Sequence, residues 1–450
     1  MAAPPANALG LAPPGRVARR LLVGGLCMAC VVAAIICLDV RDALRRGDHK
    51  LAVGHDLLPS YVAGTFVREG HPRDMYDIDA LHREEARVVK TAELLIDKQG
   101  GPWLNPPFFA WLFAPLSALP YRAAAAVFFS MNLVLLGAST WLLCRQLPMT
   151  DWRRALVPLL ICTTMPFWQA MGHQQNTFIS LFLLSLTITF WLKEMRFTAG
   201  VTVGLLFFKP QLALVVAMVL VATAGWRALA GLLLTTSTLL ALTLFTLPGT
   251  LGDYFAKLPP ILHTLQFAPS YNWGRQVTFQ SFWRLLCEGR TAGPTRLIPK
   301  ILTAIGMAAT ATLLGVATLN VIRARHDPHH SARLRRLIAA TIVSMPLLMP
   351  YYMDYDLLLL AVSAVLFARD WIERRTLSAR RLGRWQLAVW IALFFETQIN
   401  PGLGGQTRFN LAVPILAALC GISVSRCRKI ASAPLDHTSE QNLPLSALAA

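Results

Sequence analysis

Asp56 is the residue of this chain whose type and position most directly predict chemistry. It lies in the stretch HDLLPSYVAGTF, where Pro59 suits the first turn of a helix that begins just after the carboxylate. A carboxylate at a helix N-terminus can act as a general base that removes the proton from a hydroxyl group. The alternative is a helix cap or a solvated charge, and Asp39, Asp42 and Asp48 are rival carboxylates.

The segment GHQQN, residues 172–176, joins two apolar runs without a charged residue. His173, Gln174 and Asn176 could hydrogen-bond sugar hydroxyls, which are bound by groups that donate and accept. A plain polar turn at the membrane surface is an equally weighted alternative. His173 has no HxxxH or HExxH partner, so the sequence predicts no metal site there.

Lys209 interrupts the apolar run LLFFKPQLAL, where a charge must reach the membrane surface or be paired. Its position next to Pro210 favours contact with a lipid phosphate over a simple anchoring role. Arg408, which precedes the last apolar run, is a second candidate for the phosphate, although an arginine at a helix end is often only an anchor.

The motif YYMDYD, residues 351–356, combines two carboxylates with three tyrosines. An interfacial aromatic belt would explain the tyrosines by itself. Asp356 leads directly into an apolar run, however, so Asp356 and Tyr352 are candidates for binding the sugar or the acceptor. Upstream, NWGRQVTFQSFWRLL carries Arg275 among aromatic residues and could cover a lipid-linked donor or form an interfacial amphipathic helix.

The composition places these residues in an all-α polytopic membrane protein. Hydrophobic residues make up 55% of the chain, charged residues 15%, and the mean hydropathy is +0.49. Apolar runs of membrane-spanning length recur from residue 20 to 424, without the alternation of a β-barrel. The net charge of +18 is concentrated in short connections, which indicates cytoplasmic loops and excludes nucleic acid as a partner.

Placing the basic connections inside predicts about twelve transmembrane helices. They fall near 20–38, 123–144, 154–171, 176–193, 197–208, 210–224, 228–247, 299–322, 336–350, 353–368, 384–399 and 408–424. The apolar segment 106–119 is short for a span, and we interpret it as a surface or re-entrant helix. With this topology all the polar motifs above fall on the exterior side.

This topology divides the chain into three parts. Residues 1–18 form a disordered cytoplasmic N-terminus, 19–424 the transmembrane domain and 425–450 a cytoplasmic tail. The transmembrane domain contains a first exterior loop at 41–122, with membrane-surface helices, and a second at 249–298. Residues 39–97 hold 12 of the chain's 24 acidic residues, which indicates a site beside the bilayer.

Motifs of other enzyme classes are absent from the sequence. It contains no Walker A loop, GxGxxG, HExxH or GxSxG. The eight cysteines form no CxxC pair and indicate no disulfide framework. The sequence therefore predicts no bound cofactor and gives no support to ATP-driven transport or to hydrolase chemistry by these routes.

Several segments together resemble glycosyltransferase family 87, a bacterial group within the GT-C superfamily. They are Asp56 followed by Tyr61, the spacing from Gly70 to Tyr76, NPPFFAWLFAPLSALP, the pair Gln174 and Asn176, AGVTVGLLFFKPQLAL and MPYYMDYDLLLL. Their order covers most of residues 40–370.

The resemblance implies a GT-C-type fold with a catalytic aspartate in the first exterior loop, here Asp56. It also implies a polyprenyl-phosphate sugar donor, mannose as the sugar, inversion at the anomeric carbon and no metal cofactor. Lys209 and Arg408 would then meet the donor phosphate, and the active site would face the exterior of a bacterial inner membrane. The partners are the sugar donor, a lipid or glycan acceptor and membrane lipids. The alternatives are a transporter or lipid flippase and a non-catalytic component of envelope assembly.

Overall fold

The computed structural model describes residues 55–92, 94, 101–148, 152–268, 271, 273–373 and 377–428. The predicted N-terminal segment 1–18, the first predicted span 20–38 and the rival carboxylates Asp39, Asp42 and Asp48 lie outside these residues. So does all of the predicted cytoplasmic tail after Arg428.

The described residues form helices and connections, with no β-strand among them. The α-helices are α1 Leu58–Glu69, α2 Ile78–Thr91, α3 Tyr121–Cys144, α4 Leu156–Cys162, α5 Met165–Gly172, α6 Thr177–Leu192, α7 Arg196–Leu205, α8 Pro210–Ala224, α9 Trp226–Thr246, α10 Thr250–Phe267, α11 Phe279–Glu288, α12 Leu297–Arg323, α13 His330–Leu348, α14 Leu360–Glu373, α15 Leu377–Thr407 and α16 Ala412–Arg428. Short 3-10 helices lie between several of them, and Gln276 forms an isolated antiparallel bridge with Met353.

Three of the described helices, α3, α9 and α12, are long and apolar enough to cross a membrane. Their observed bounds agree with the predicted spans 123–144, 228–247 and 299–322 to within two residues at each end. The total of about twelve spans and the GT-C arrangement stay predictions.

Prolines account for two differences from the predicted helices. The predicted helix 154–171 is interrupted between Cys162 and Met165, where Thr164 has an extended backbone. Pro166, in the first turn of α5, has no N–H that could continue the helical hydrogen bonds of α4. The segment 106–119, predicted as a surface or re-entrant helix, forms two short 3-10 helices, Pro107–Leu112 and Leu116–Ala118.

A third difference concerns the predicted span 353–368. Its first residues form the 3-10 helix Asp354–Leu359, and α14 begins only at Leu360. The Asp356 carboxylate in this turn is a hydrogen-bond acceptor for side chains of α6 and of the α7–α8 connection. The tighter turn thus belongs to the polar site described below.

Helix α1 anchors the residue that precedes it. Residues 58–67 of α1 are all buried, and Pro59 lies in the first turn, as the sequence predicted. The Tyr61 hydroxyl donates a hydrogen bond of 2.8 Å to the Leu119 carbonyl oxygen. A Cβ added at Gly64 would lie only 2.5 Å from the Phe113 backbone. Because this helix is closely packed on both the chain before α3 and the core, Asp56 occupies a defined position.

Helices α7 and α9 approach each other through small residues. A Cβ on Gly200 would lie 2.0 Å from the Ala228 carbonyl oxygen, and a Cβ on Gly231 would lie 2.1 Å from that of Phe197. Gly204, one turn after Gly200, faces Thr235. Such spacing of small residues lets two membrane helices pack backbone to backbone. This packing sets the position of α7, which leads to Lys209.

Replacing Gly200 by Ala is therefore expected to lower the free energy of unfolding by about 1–3 kcal/mol. The added methyl group must push α7 away from backbone atoms of α9, which cannot rotate aside as a side chain could. The measurement is thermal unfolding of the purified protein in detergent. Gly137→Ala in α3 is the matched control, since nothing lies within 4 Å of its Cβ position. Equal stability of the two variants would contradict the close approach.

Candidate active site

The Asp56 carboxylate meets the polar turn at residues 172–176, which is 119 positions away along the chain. The Gln175 side-chain amide donates a hydrogen bond to Asp56 Oδ2. His173 Nδ1 lies 3.7 Å from the same oxygen. Leu57, and not Asp56, occupies the N-cap position of α1. The Asp56 side chain thus faces a neutral amide and an imidazole at the edge of the core.

The same turn contains two buried oxygens that accept no hydrogen bond within the described part of the chain, Gln174 Oε1 and Asn176 Oδ1. Gln174 has a positive φ of 52°, which is uncommon for a residue other than glycine and marks local strain. Two unsatisfied acceptors in a strained turn beside a carboxylate are suited to receiving hydrogen bonds from ligand hydroxyls. These are two of the five residues that the sequence assigned to sugar or acceptor binding.

Lys209 is buried, with 7% of its surface exposed, and its Nζ lies 2.8 Å from Asp356 Oδ1. Thr177, the first residue of α6, donates a hydrogen bond of 2.7 Å to the same oxygen. Of the two options that the apolar context left open, the structure therefore shows pairing. Since an ammonium group carries three N–H donors, the pair leaves Lys209 with donor capacity for a ligand.

A second ion pair lies in the same 3-10 turn. Arg275 donates from Nε and Nη2 to the two oxygens of Asp354, both at 3.0 Å. Gln169 in α5 adds a hydrogen bond of 3.1 Å to Asp354 Oδ2. The Tyr355 ring lies between the cations, with Lys209 Nζ at 5.8 Å and the Arg275 guanidinium at 6.0 Å from its centroid. Two carboxylates of one short motif thus orient two cations around one aromatic ring.

The loop that carries Arg275 is fixed to this motif by backbone contacts. The Val277 amide donates a hydrogen bond of 2.9 Å to the Tyr352 carbonyl oxygen. Asn410 Nδ2 donates to the Gln276 carbonyl oxygen at 2.5 Å, which ties the start of α16 to the same loop. The loop around Arg275, the 351–356 motif and the chain just before α16 therefore meet, and Gln169 of α5 joins them through Asp354.

Charge accumulates where these segments meet. Burial lowers the pKa of the Arg275 guanidinium, but the charge and hydrogen bonds of Asp354 outweigh that effect, with a further contribution from Asp56, so that this pKa lies above its ordinary value. Burial raises the pKa of the Tyr351 phenol, and the charges of Asp356 and Asp56 raise it further. The electrostatic fields of Asp56 and of the 351–356 motif therefore act on the same groups.

Two of the predicted site residues, Tyr352 and Arg408, differ from the others in the groups that they contact. The Tyr352 hydroxyl donates a hydrogen bond of 2.9 Å to the Asp356 carbonyl oxygen, so it stabilises its own turn. The Arg408 side chain is exposed and lies against Gly289 at the end of α11, and its backbone has a positive φ of 62°. Arg408 is thus two residues from the loop contact of Asn410, but its side chain lies at the C-terminal end of α11.

Four residues of the cluster were not assigned individually from the sequence: Gln175, Gln169, Thr177 and Asp354. Arg275 was named only as part of its loop, without a role of its own. Gln175 stands between two residues that were, and Thr177 directly follows the turn, so the polar run itself was the available signal. Gln169 lies in an apolar helix and gave none. Within the described residues, no group of three or more His, Cys, Asp and Glu side chains has an arrangement suited to a metal ion.

Comparison with known protein families gives one match: the model of glycosyltransferase family 87 matches residues 103–350, more than half of the chain. The matched range includes the 172–176 turn, Lys209 and Arg275 and excludes Asp56, the 351–356 motif and Arg408. No curated protein and no solved structure matches the chain.

Proposed function

Because the chain belongs to glycosyltransferase family 87, we propose that it transfers a hexose, specifically mannose, from a polyprenyl-phosphate carrier to a lipid or glycan acceptor. The reaction takes place on the exterior side of a bacterial inner membrane, within a GT-C-type fold. Membership of a glycosyltransferase family favours transfer between a sugar donor and an acceptor over the transporter and scaffold alternatives.

The observation that carries the proposal is the position of Asp56. Its carboxylate bonds to Gln175 in a turn that leads directly into Thr177, which in turn bonds to the Lys209–Asp356 pair. Asp56 is a base, and Lys209 and Arg275 are cations. During glycosyl transfer a proton leaves the acceptor, which requires a base, and a negative charge develops on the departing phosphate, which cations stabilise.

The proposed reaction is a single displacement. The acceptor hydroxyl oxygen attacks the anomeric carbon while Asp56 takes its proton. The bond between the anomeric carbon and the phosphate oxygen breaks, and its electron pair leaves with the polyprenyl phosphate. Because attack and departure occur on opposite faces of the sugar, the anomeric configuration inverts. No nucleotide and no metal ion is needed for this sequence of steps.

We assign the departing phosphate to Lys209 and Arg275. Each cation is held in place by its own aspartate, so its orientation is fixed before the substrate arrives, and preorganised charges stabilise a transition state without a reorganisation cost. Arg408 at the outer rim is a further candidate for contact with the carrier phosphate. We assign the sugar or acceptor hydroxyls to His173, Gln174 and Asn176. Tyr352 and Asp356 support these binding residues through the 3-10 turn that the Tyr352 hydroxyl stabilises.

Arg275→Lys is expected to lower kcat/KM for the lipid-linked donor by roughly tenfold, the value of one charge-assisted hydrogen bond. A lysine keeps the charge but loses the planar fork that bonds Asp354 through two nitrogens. The measurement is initial-rate kinetics with varied donor concentration. Arg290→Lys, at an exposed position shortly after α11, is the matched control and should retain wild-type kinetics. A donor dependence unchanged in Arg275→Lys would remove this arginine from phosphate binding.

The donor and the product together test the proposed function. Purified protein in lipid nanodiscs is incubated with radiolabelled polyprenyl-phosphate-mannose and extracted membrane acceptors. A labelled product with inverted anomeric configuration is expected, and polyprenyl-phosphate-glucose and nucleotide-linked mannose serve as comparison donors. Transfer from the nucleotide sugar alone would refute the donor assignment, while movement of the lipid across the bilayer without sugar transfer would favour a flippase.

A further inference from the structure

The 172–176 turn directs one glutamine at Asp56 and is itself held from both sides. The backbone nitrogen of Gln175 donates a hydrogen bond of 2.8 Å to the Ala170 carbonyl oxygen. The backbone nitrogen of His173 donates one of 3.0 Å to the Gln169 carbonyl oxygen. Asn132 of α3 approaches from the other side, with Nδ2 at 3.4 Å from the Gln175 carbonyl oxygen. The backbone of Gln175 is therefore fixed between α3 and α5.

The strained residue in the turn sets where this side chain goes. Gln174 has a φ of 52°, so the chain leaves right-handed helical geometry at this point, before α6 begins. Gln175 is 9% exposed, and its side-chain amide donates to Asp56 Oδ2. His173, at the other end of the same turn, places Nδ1 at 3.7 Å from that oxygen. Both contacts of the turn therefore fall on one carboxylate oxygen.

We propose that Gln175 is the positioning residue for Asp56: its amide holds the carboxylate in the orientation in which it accepts the proton of the acceptor hydroxyl. This inference rests on the proposed function, because it presumes that Asp56 is the base. An amide that donates to a carboxylate stabilises its charged form. The role differs from that of Gln174 and Asn176, whose unsatisfied oxygens are acceptors suited to a ligand.

Other ionisable groups also interact with the Asp56 charge and therefore influence its titration. From the 172–176 turn the facing group is His173, from the loop before α11 it is Arg275, and from α3 it is Tyr121. From the turn before α14 the facing groups are Tyr351 and Tyr355. A change at Gln175 leaves all of these in place. A difference between wild type and a Gln175 variant therefore reports the amide alone.

The test compares two substitutions of Gln175 that preserve its size. Gln175→Leu removes the donor, so the carboxylate is stabilised less and the acidic limb of the pH profile of kcat should move to higher pH, with kcat at neutral pH lower by roughly tenfold. Gln175→Glu places a second carboxyl group against Asp56. Because the two groups then share a proton, the limb should move further, by about one pH unit or more. KM for the donor should stay near the wild-type value.

Gln146→Leu is the matched control. Gln146 is another buried glutamine, whose side-chain amide bonds to Thr189 Oγ1 at 3.2 Å between α6 and the end of α3. The same substitution there removes a buried amide that bonds to Thr189 and not to Asp56. It should leave the pH profile unchanged. An equal displacement of the limb in Gln146→Leu, or reduced activity of Gln175→Leu with an unchanged pH profile, would overturn the positioning role.

A second measurement is independent of turnover. Infrared spectroscopy of the carboxylate band follows the titration of Asp56 directly, as the difference between each protein and the same protein carrying Asp56→Asn. The midpoint should lie at higher pH in Gln175→Leu than in wild type. A midpoint that does not move refutes the inference even when Asp56→Asn abolishes transfer, whereas an active Asp56→Asn variant refutes the proposed function whatever the infrared result.

Discussion

Asp56→Asn is expected to lower kcat/KM for sugar transfer by about 10²–10⁴-fold, the usual contribution of a positioned general base. Asparagine keeps the size of the side chain and a hydrogen-bonding oxygen for Gln175, but it cannot accept the proton that leaves the acceptor hydroxyl. Donor binding should be retained, because Lys209 and Arg275 are unchanged. The measurement is kcat and KM with polyprenyl-phosphate-mannose, together with thermal unfolding.

The matched control for this experiment is Asp79→Asn. Asp79 lies in the first turn of α2, in the same acidic region, and is exposed. Its substitution removes an equal charge and should leave transfer at the wild-type rate. Full activity of Asp56→Asn would exclude Asp56 as the base. A similar loss in both variants would point to the charge of the whole loop and away from one catalytic residue.

Lys209→Met is expected to produce the largest change in stability, a loss of about 3–5 kcal/mol. Asp356 is 4% exposed, and without Lys209 its charge stays buried with Thr177 as its remaining side-chain partner in the described structure. Asp356→Leu should be destabilising for the complementary reason, since it isolates the ammonium group. The measurement is thermal or denaturant unfolding in detergent.

The double variant Lys209→Met/Asp356→Leu separates stability from function. With both charges removed, no uncompensated ion is buried, and a large part of the lost stability should return. Transfer should nevertheless stay low, because the proposed phosphate contact is gone. Recovery of both stability and full activity would show that the pair is only structural.

Lys257→Met provides the surface comparison for this ion pair. Lys257 Nζ lies 3.7 Å from Asp253 Oδ1, and 41% of its side chain is exposed. Removal of an exposed partner should cost at most about 1 kcal/mol. If Lys209→Met were as mild as Lys257→Met, the buried pairing at the site would be contradicted.

Much of the secondary structure could be predicted from the sequence alone. The three long spans follow from uninterrupted apolar runs, and the start of α1 after Asp56 follows from Pro59. Errors occurred at prolines: Pro166 divides one predicted helix, and the segment after Pro106 forms 3-10 turns. A hydropathy pattern reports how apolar a segment is, whereas a proline acts through local backbone geometry.

The candidate site was predictable only in part. The 172–176 turn and Lys209 were found because each is a polar interruption of an apolar context, which is costly unless it has a use or a partner. Asp56 was found because it precedes a helix N-terminus in the acidic region. Gln169 was missed because one amide in an apolar helix has no distinctive neighbours in the sequence. Arg408 was selected from its place before the last helix, but its side chain lies against Gly289, just after the end of α11.

The sequence by itself determined that this chain builds apolar helices and which few polar residues interrupt them, since burying or exposing a side chain depends on its own chemistry. Only the tertiary structure decided the partners: Lys209 with Asp356, Arg275 with Asp354, and Gln175 with Asp56. Such pairs join residues that are 79 to 147 positions apart. Their contact depends on the relative depth and rotation of packed helices, which in turn depends on close approaches such as that of Gly200 to Ala228.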